Sequence, residues 1–254
     1  MSSMLHPNVS ITQFAHVGVV EIHRPPHNYF DAGLVAGIAA AITTLDSAFE
    51  CRAMVLRSEG RCFCAGADFT GPGRTDPGAV YRAALPIFTR RKPLVAAIQG
   101  PAIGGGLGLA LSADFRVAAP EARFQANFVR IGLHPGFGLT HTLARVIGTQ
   151  AAADLLLTGR RVDGEEALRL GLTDKLAALA DLRATAIAYA ELISAGAPLA
   201  IQSIQAALSQ DLADSVAKAM NRELAAQEAL FGTTDFAEGV RAFAERRAPR
   251  FTGT

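Results

Sequence analysis

Three consecutive glycines, Gly104, Gly105 and Gly106, stand directly before an apolar run with no evident acid, base or nucleophile. Bare backbone ahead of a helix serves two kinds of chemistry. It can cradle phosphate, as in dinucleotide folds and P-loops. The spacing here is wrong for that: taking Gly104 and Gly106 as the first glycines of G-x-G-x-x-G puts Leu109 at the third, and no G-x-x-x-x-G-K-[ST] occurs. The other use brings a backbone N–H against an oxygen that becomes negative during reaction. That use needs a second donor, and the small-residue turn in RCFCAGADF (Arg61 to Phe69) can supply one. Amides from these two turns would form an oxyanion hole.

Both turns follow predicted strands. VGVVEIHRP (Val17 to Pro25) has the β-branched content and proline stop of a strand, and Asp31 opens an alanine-rich stretch of helical period. RAMVLRSEG (Arg52 to Gly60), KPLVAAIQGPAIGGG (Lys92 to Gly106) and DFRVAAPEARF (Asp114 to Phe124) supply further strands. Short strands alternating with helices predict an α/β protein with parallel pairing. Gly164 to Leu170 and Asp181 to Ser194 read as helices, and from Pro198 the chain is helical with apolar residues at three-and-four spacing. These last helices form a candidate second unit.

Composition sets the class. A chain of 254 residues, 50% hydrophobic, can bury a sizeable core. Lys plus Arg (24) balance Asp plus Glu (23), so no bulk field attracts nucleic acid or an acidic membrane surface. Neither is an expected partner. Cys62 and Cys64 are too close together for a framework disulfide or a CxxC pair, which points to a reducing, cytoplasmic setting. No signal peptide or 18-residue apolar window is evident.

FCAGADF, PLVAAIQGPAIGGGLGLALSADFRVAAPEARF, RIGLHPGFGLTHTLARVIG, LLLTGRRVDGEEALRLGLTDKL and TTDFAEGVRAFAERRAPRF together resemble the enoyl-CoA hydratase/isomerase (crotonase) superfamily. The likeness spans nearly the whole chain. It implies a spiral of ββα units over residues 1–195 carrying an acyl-CoA site. It also implies a helical region, 196–254, that assembles a homotrimer or a dimer of trimers. Carried over by position, the thioester carbonyl lies between the amides of Ala67 and Gly105. Ala65, Gly66, Asp68, Phe69, Gly104 and Phe128 surround the substrate, with Asp68 shaping the turn. Arg24 and Arg246 are candidate contacts for the CoA phosphates and Phe243 for the adenine, Phe243 and Arg246 lying on the last helix, which the resemblance brings to the CoA of a neighbouring subunit. No cofactor is implied, since coenzyme A is part of the substrate.

Hydratases of this family add water with two glutamates, and the corresponding positions here are Gly108 and Phe128. Neither can exchange a proton, so water addition is disfavoured. Restoring Glu at both positions is the change expected to raise it. His134, in IGLHPGF, is the candidate proton carrier in their place. No metal is expected: His23 and His27 are separated by two prolines, and PGFG interrupts the path from His134 to His141. Two functions follow. One is an enzyme that stabilises a thioester enolate and isomerises or otherwise processes an enoyl or aromatic acyl-CoA. The other is a non-catalytic acyl-CoA binding protein that kept the pocket and lost its carboxylates. A thioesterase has no G-x-S-x-G elbow to support it.

Overall fold

The fold is taken from a computed structural model, which describes residues 2–68 and 76–254. A seven-stranded sheet forms the centre. Its strands are β1 (Ser2–His6), β2 (Val9–Phe14), β3 (Val17–Ile22), β4 (Ala53–Ser58), β5 (Leu94–Ile98), β7 (Phe115–Ala118) and β10 (Lys175–Leu176), adjacent in that order. β1, β2 and β3 meander antiparallel, and the rest run parallel from β3 onward, with Val19 opposite Val55 and Met54 opposite Leu94. A smaller sheet joins β6 (Pro101–Ile103), β8 (Arg123–Gln125) and β9 (Arg161–Asp163).

Alternation along each strand assigns its residues to two cores, as the pleat requires. Val20, Ile22, Met54, Leu56, Leu94 and Ala96 face the larger core, with α1 (Ala32–Ser47) and α2 (Pro77–Phe88). Val17, Val19, Val55, Val95 and Val117 face the other side. There α7 (Leu182–Ser194) lays Leu182, Ala186 and Ala190, spaced one turn apart, against the sheet. With both faces covered, β5 is buried at all five residues. Each such aliphatic side chain contributes roughly 1.5–3 kcal/mol by burial.

The remaining helices are α3 (Gly105–Leu111), α4 (Leu139–Ile147), α5 (Thr149–Thr158), α6 (Gly164–Leu170), α8 (Pro198–Leu208), α9 (Leu212–Leu230) and α10 (Thr234–Ala244), with a 3-10 turn at Asn127–Ile131. Asp31 caps α1 by accepting from the Leu34 amide at 2.9 Å. Asp114, at the foot of β7, accepts from Arg90 Nη2 (2.6 Å), the Leu94 amide (2.8 Å) and Gln205 Nε2 (2.7 Å). One carboxylate thus ties α8 to the sheet. The C-terminal helices also form part of the site: α9 packs on α2 and α4, and α10 on the 3-10 turn.

Candidate active site

The two turns predicted from the glycines run side by side. Cys64 and Ala102 form a parallel bridge, closed by Cys64 N–H to Pro101 O (3.0 Å) and Ile103 N–H to Cys64 O (3.0 Å). The strands approach so closely that a Cβ on Gly106 would lie 2.0 Å from the Cys64 carbonyl. Gly66 has φ +78°, and a Cβ there would stand 2.8 Å from Ile103 O and 3.2 Å from Gly105 N. The glycines therefore bring Ala67 beside the start of α3. Both Ala67 and Gly105 are partly exposed, whereas Gly104 and Gly106 are buried. Neither the Ala67 nor the Gly105 N–H has an acceptor among the described residues. Two such donors can hold one oxygen between them.

These amides open on a cavity of about 60 Å³. Its apolar wall includes Phe30, Phe128, Phe137 and Phe231, with the Phe30 and Phe137 rings 5.5 Å apart. Its polar side chains are Tyr81, Asn127 and Gln227. Tyr81 Oη donates to Gln227 Oε1 at 2.8 Å, and Gln227 Nε2 donates to the His134 carbonyl at 2.9 Å. Burial pushes the Tyr81 phenol well up, reinforced by the Glu223 charge. Glu223, one turn before Gln227 on α9, is fully buried. It accepts from the Gly138 amide (2.7 Å) and from the Thr140 amide (2.9 Å) and hydroxyl (2.6 Å). Burial raises its carboxyl, and these donors oppose the shift. Helix α9 thereby holds the loop 132–138 that forms one wall.

A groove of about 300 Å³ continues from the cavity, sharing Ala65, Ala67 and Ile131 with it. Asp68, Tyr29, Arg123, Arg161 and Phe243 line the groove. Arg123 and Arg161 are exposed, and neither guanidinium has an acceptor among the described residues.

Several sequence expectations need correction. His134 does not line the cavity: its Nδ1 lies 2.8 Å from the Pro135 carbonyl, and only its backbone reaches the site, through Gln227. Arg24 lines neither space, and its guanidinium is paired to Asp31 at 2.7 Å. Arg246 is exposed with φ +55° and lines neither; Arg161 and Arg123 are the cations in the groove. Gly108 is buried behind Phe137, where a Cβ would fall 2.8 Å from the Phe137 Cβ, and it does not line the cavity, whereas Phe128 does. Ala65, Gly66, Gly104 and Phe128 do line it, Asp68 and Phe243 line the groove, and Phe69 lies outside the described residues. Phe243 reaches the groove of its own chain. The buried thiols are structural: burial raises Cys62 to about 11 and Cys64 to about 12.

Sequence reasoning missed Tyr81 and Gln227, which are 146 positions apart. The only local signal is Gly136, where a Cβ would lie 1.9 Å from Tyr81 Oη.

Fold and site together define a crotonase-type protein, and comparison with known proteins agrees. The enoyl-CoA hydratase/isomerase family model matches residues 12–254, and the chain belongs to that family. It is 36% identical over 216 residues to an enoyl-CoA isomerase/hydratase of Mycosarcoma maydis, covering 80% of this chain and 77% of that protein. Among solved structures it resembles an enoyl-CoA hydratase/isomerase from Pseudoalteromonas atlantica, at TM-score 0.87 and 30% identity over 96% of this chain and 100% of that one. It also resembles a carnitinyl-CoA dehydratase from Mycobacterium avium, at TM-score 0.86 and 30% identity over 98% and 100%.

Proposed function

We propose that this protein binds a short acyl-CoA thioester and stabilises its enolate between the amides of Ala67 and Gly105. The observation that carries this reading is the pair of N–H groups, without acceptors among the described residues, on two partly exposed residues that both line the cavity, Ala67 lining the groove as well. The thioester carbonyl sits at these amides, the acyl group in the cavity and the CoA arm in the groove, where Arg123 and Arg161 suit its phosphates and Phe243 its adenine. As electrons move onto the carbonyl oxygen, both hydrogen bonds strengthen, which lowers the barrier and not merely the ground state. Hydration is disfavoured because no carboxylate lines the cavity among the described residues.

Ala67→Pro tests the reading, since it removes one donor without adding a new Cβ to the wall. Gly105→Pro is a poorer probe, because a Cβ at 105 meets Phe30 Cζ at 2.3 Å. The expected result is a kcat reduced by about 10²–10³-fold with acyl-CoA binding retained. A binding protein without catalysis would take up acetyl-CoA and turn over no thioester.

A further inference from the structure

Of the polar side chains that line the cavity, Tyr81 and Gln227 are already paired, Tyr81 Oη donating to Gln227 Oε1 and Gln227 Nε2 to the His134 carbonyl. Asn127 is not. It is partly exposed, and its carboxamide has no hydrogen-bond partner among the described residues. Its place follows from strand register. β6 and β8 pair in parallel with Ile103 opposite Gln125, and the Gly104 amide donates to the Gln125 carbonyl at 2.8 Å. Two residues further on, one segment carries the Gly105 donor and the other carries Asn127. Gly104 stands between them with φ +55°, and a Cβ there would lie 3.2 Å from Asn127 Oδ1, so the bare glycine leaves the carboxamide its room beside the oxyanion turn. The 3-10 turn that begins at Asn127 is fixed from behind by α10. A Cβ on Gly239 would lie 2.5 Å from the Ile131 carbonyl carbon, and one on Gly132 would lie 2.8 Å from the Asp235 carbonyl. Backbone packing holds Asn127 in place and leaves its amide free for a ligand.

An unpaired amide on a cavity wall selects what lies against it. A carboxamide both donates and accepts, and a hydrocarbon pressed on it removes water without replacing the hydrogen bond. A hydroxyl or keto oxygen replaces it. A carboxylate loses more hydration than one neutral amide returns, and no cation lines the cavity among the described residues. The matching group is a neutral oxygen. The oxyanion donors fix where on the acyl chain it sits. With the thioester carbonyl between Ala67 and Gly105, an oxygen on the α-carbon is drawn into the plane of the enolate as that carbon turns planar. One on the β-carbon stays free to turn towards Asn127.

We propose that Asn127 is a specificity-determining residue that selects short acyl-CoA thioesters carrying a neutral oxygen, hydroxyl or keto, on the β-carbon. The inference rests on the oxyanion reading above and names the substrate class of that site. Asn127 Nδ2 donates to a keto oxygen, and either Nδ2 or Oδ1 pairs with a hydroxyl. One neutral hydrogen bond, gained by the oxygenated thioester and left unmade by the plain one, gives a preference of roughly tenfold.

The experiment measures, by titration calorimetry, the affinity of the protein for butyryl-CoA, 3-hydroxybutyryl-CoA, acetoacetyl-CoA and malonyl-CoA. The parent chain should bind 3-hydroxybutyryl-CoA and acetoacetyl-CoA about tenfold more tightly than butyryl-CoA. Malonyl-CoA, whose β-oxygens are charged, should bind less tightly than acetoacetyl-CoA. Asn127→Leu, similar in shape and without polar atoms, should weaken both oxygenated thioesters about tenfold and bind butyryl-CoA at least as tightly as the parent does. Asn127→Ala provides the same comparison should the leucine variant fail to fold. Equal affinity of the parent chain for butyryl-CoA and the two oxygenated thioesters would overturn this inference and leave the acyl-CoA reading standing. Tighter binding of malonyl-CoA than of acetoacetyl-CoA would overturn the neutral class. Failure to bind any of the four would overturn both readings. A preference that survives the substitution, or an equal loss of affinity for every thioester, would remove Asn127 as its source.

Discussion

Glycines and phenylalanines divide the work of this site between them. Gly66 and Gly106 let two turns approach at backbone distance, and Gly105 leaves room for the Phe30 ring, so a Cβ at any of the three would collide. Phe128 and Phe137 then fill the space where acid–base carboxylates could stand. Phe137 is held at φ +63° and is almost fully buried. Gly108→Glu should therefore not restore hydration: the new Cβ collides with Phe137, and a carboxylate is buried without a partner. The expected destabilisation is at least about 1–3 kcal/mol, measured by urea unfolding. Equal stability of Gly108→Glu and the parent chain would show that the wall yields.

At the scale of elements, the strands and caps that position the site are simple. Asp31 both starts α1 and holds Arg24, and its carboxyl lies below the ordinary 3.8: burial alone would raise it, but the Leu34 amide and Arg24 outweigh that. A depressed carboxyl contributes stability above its unfolded value and loses it as pH falls through the folded one. Asp31→Ala should cost about 1 kcal/mol at neutral pH. Its difference from the parent chain should disappear as pH falls below 3.8, read by denaturation at each pH. The Asp31 cap, β3, β4, β5 and the helix Gly164 to Leu170 were legible because period and punctuation agreed there. Other elements were not. α2 carries Pro77 and Pro86 and so lacks an uninterrupted helical signal; β9 and β10 are three and two residues long, too short for any period. The turns of the site were legible because close backbone approach leaves a mark in glycine. The Tyr81 and Gln227 pair left none, since its partners meet only through the packing of α2 on α9.

The whole molecule draws its C-terminal helices into the site and still leaves apolar surface over. Gln227 and Phe231 from α9 line the cavity, and Val240 and Phe243 from α10 line the groove. Meanwhile Leu199, Ile204 and Leu208 on α8 are 80%, 59% and 67% exposed. Apolar side chains of this size in solvent suit an interface between copies. We propose a trimer or a dimer of trimers, and sedimentation should give three or six times the 26.6 kDa chain mass. Leu199→Glu with Leu208→Glu should shift it toward the monomer. A stable monomer of the parent chain at micromolar concentration would rule the assembly out.

No single helix among the described residues is long and apolar enough to cross a membrane, and the groove is open to solvent along Arg123 and Arg161. An acyl-CoA can therefore reach the amides by diffusion, which makes the central claim directly measurable. A crystal structure of the protein with acetyl-CoA should place the thioester oxygen about 2.7–3.1 Å from both the Ala67 and Gly105 nitrogens, with the methyl group facing Tyr81. A thioester oxygen beyond hydrogen-bond reach of either amide would contradict the account.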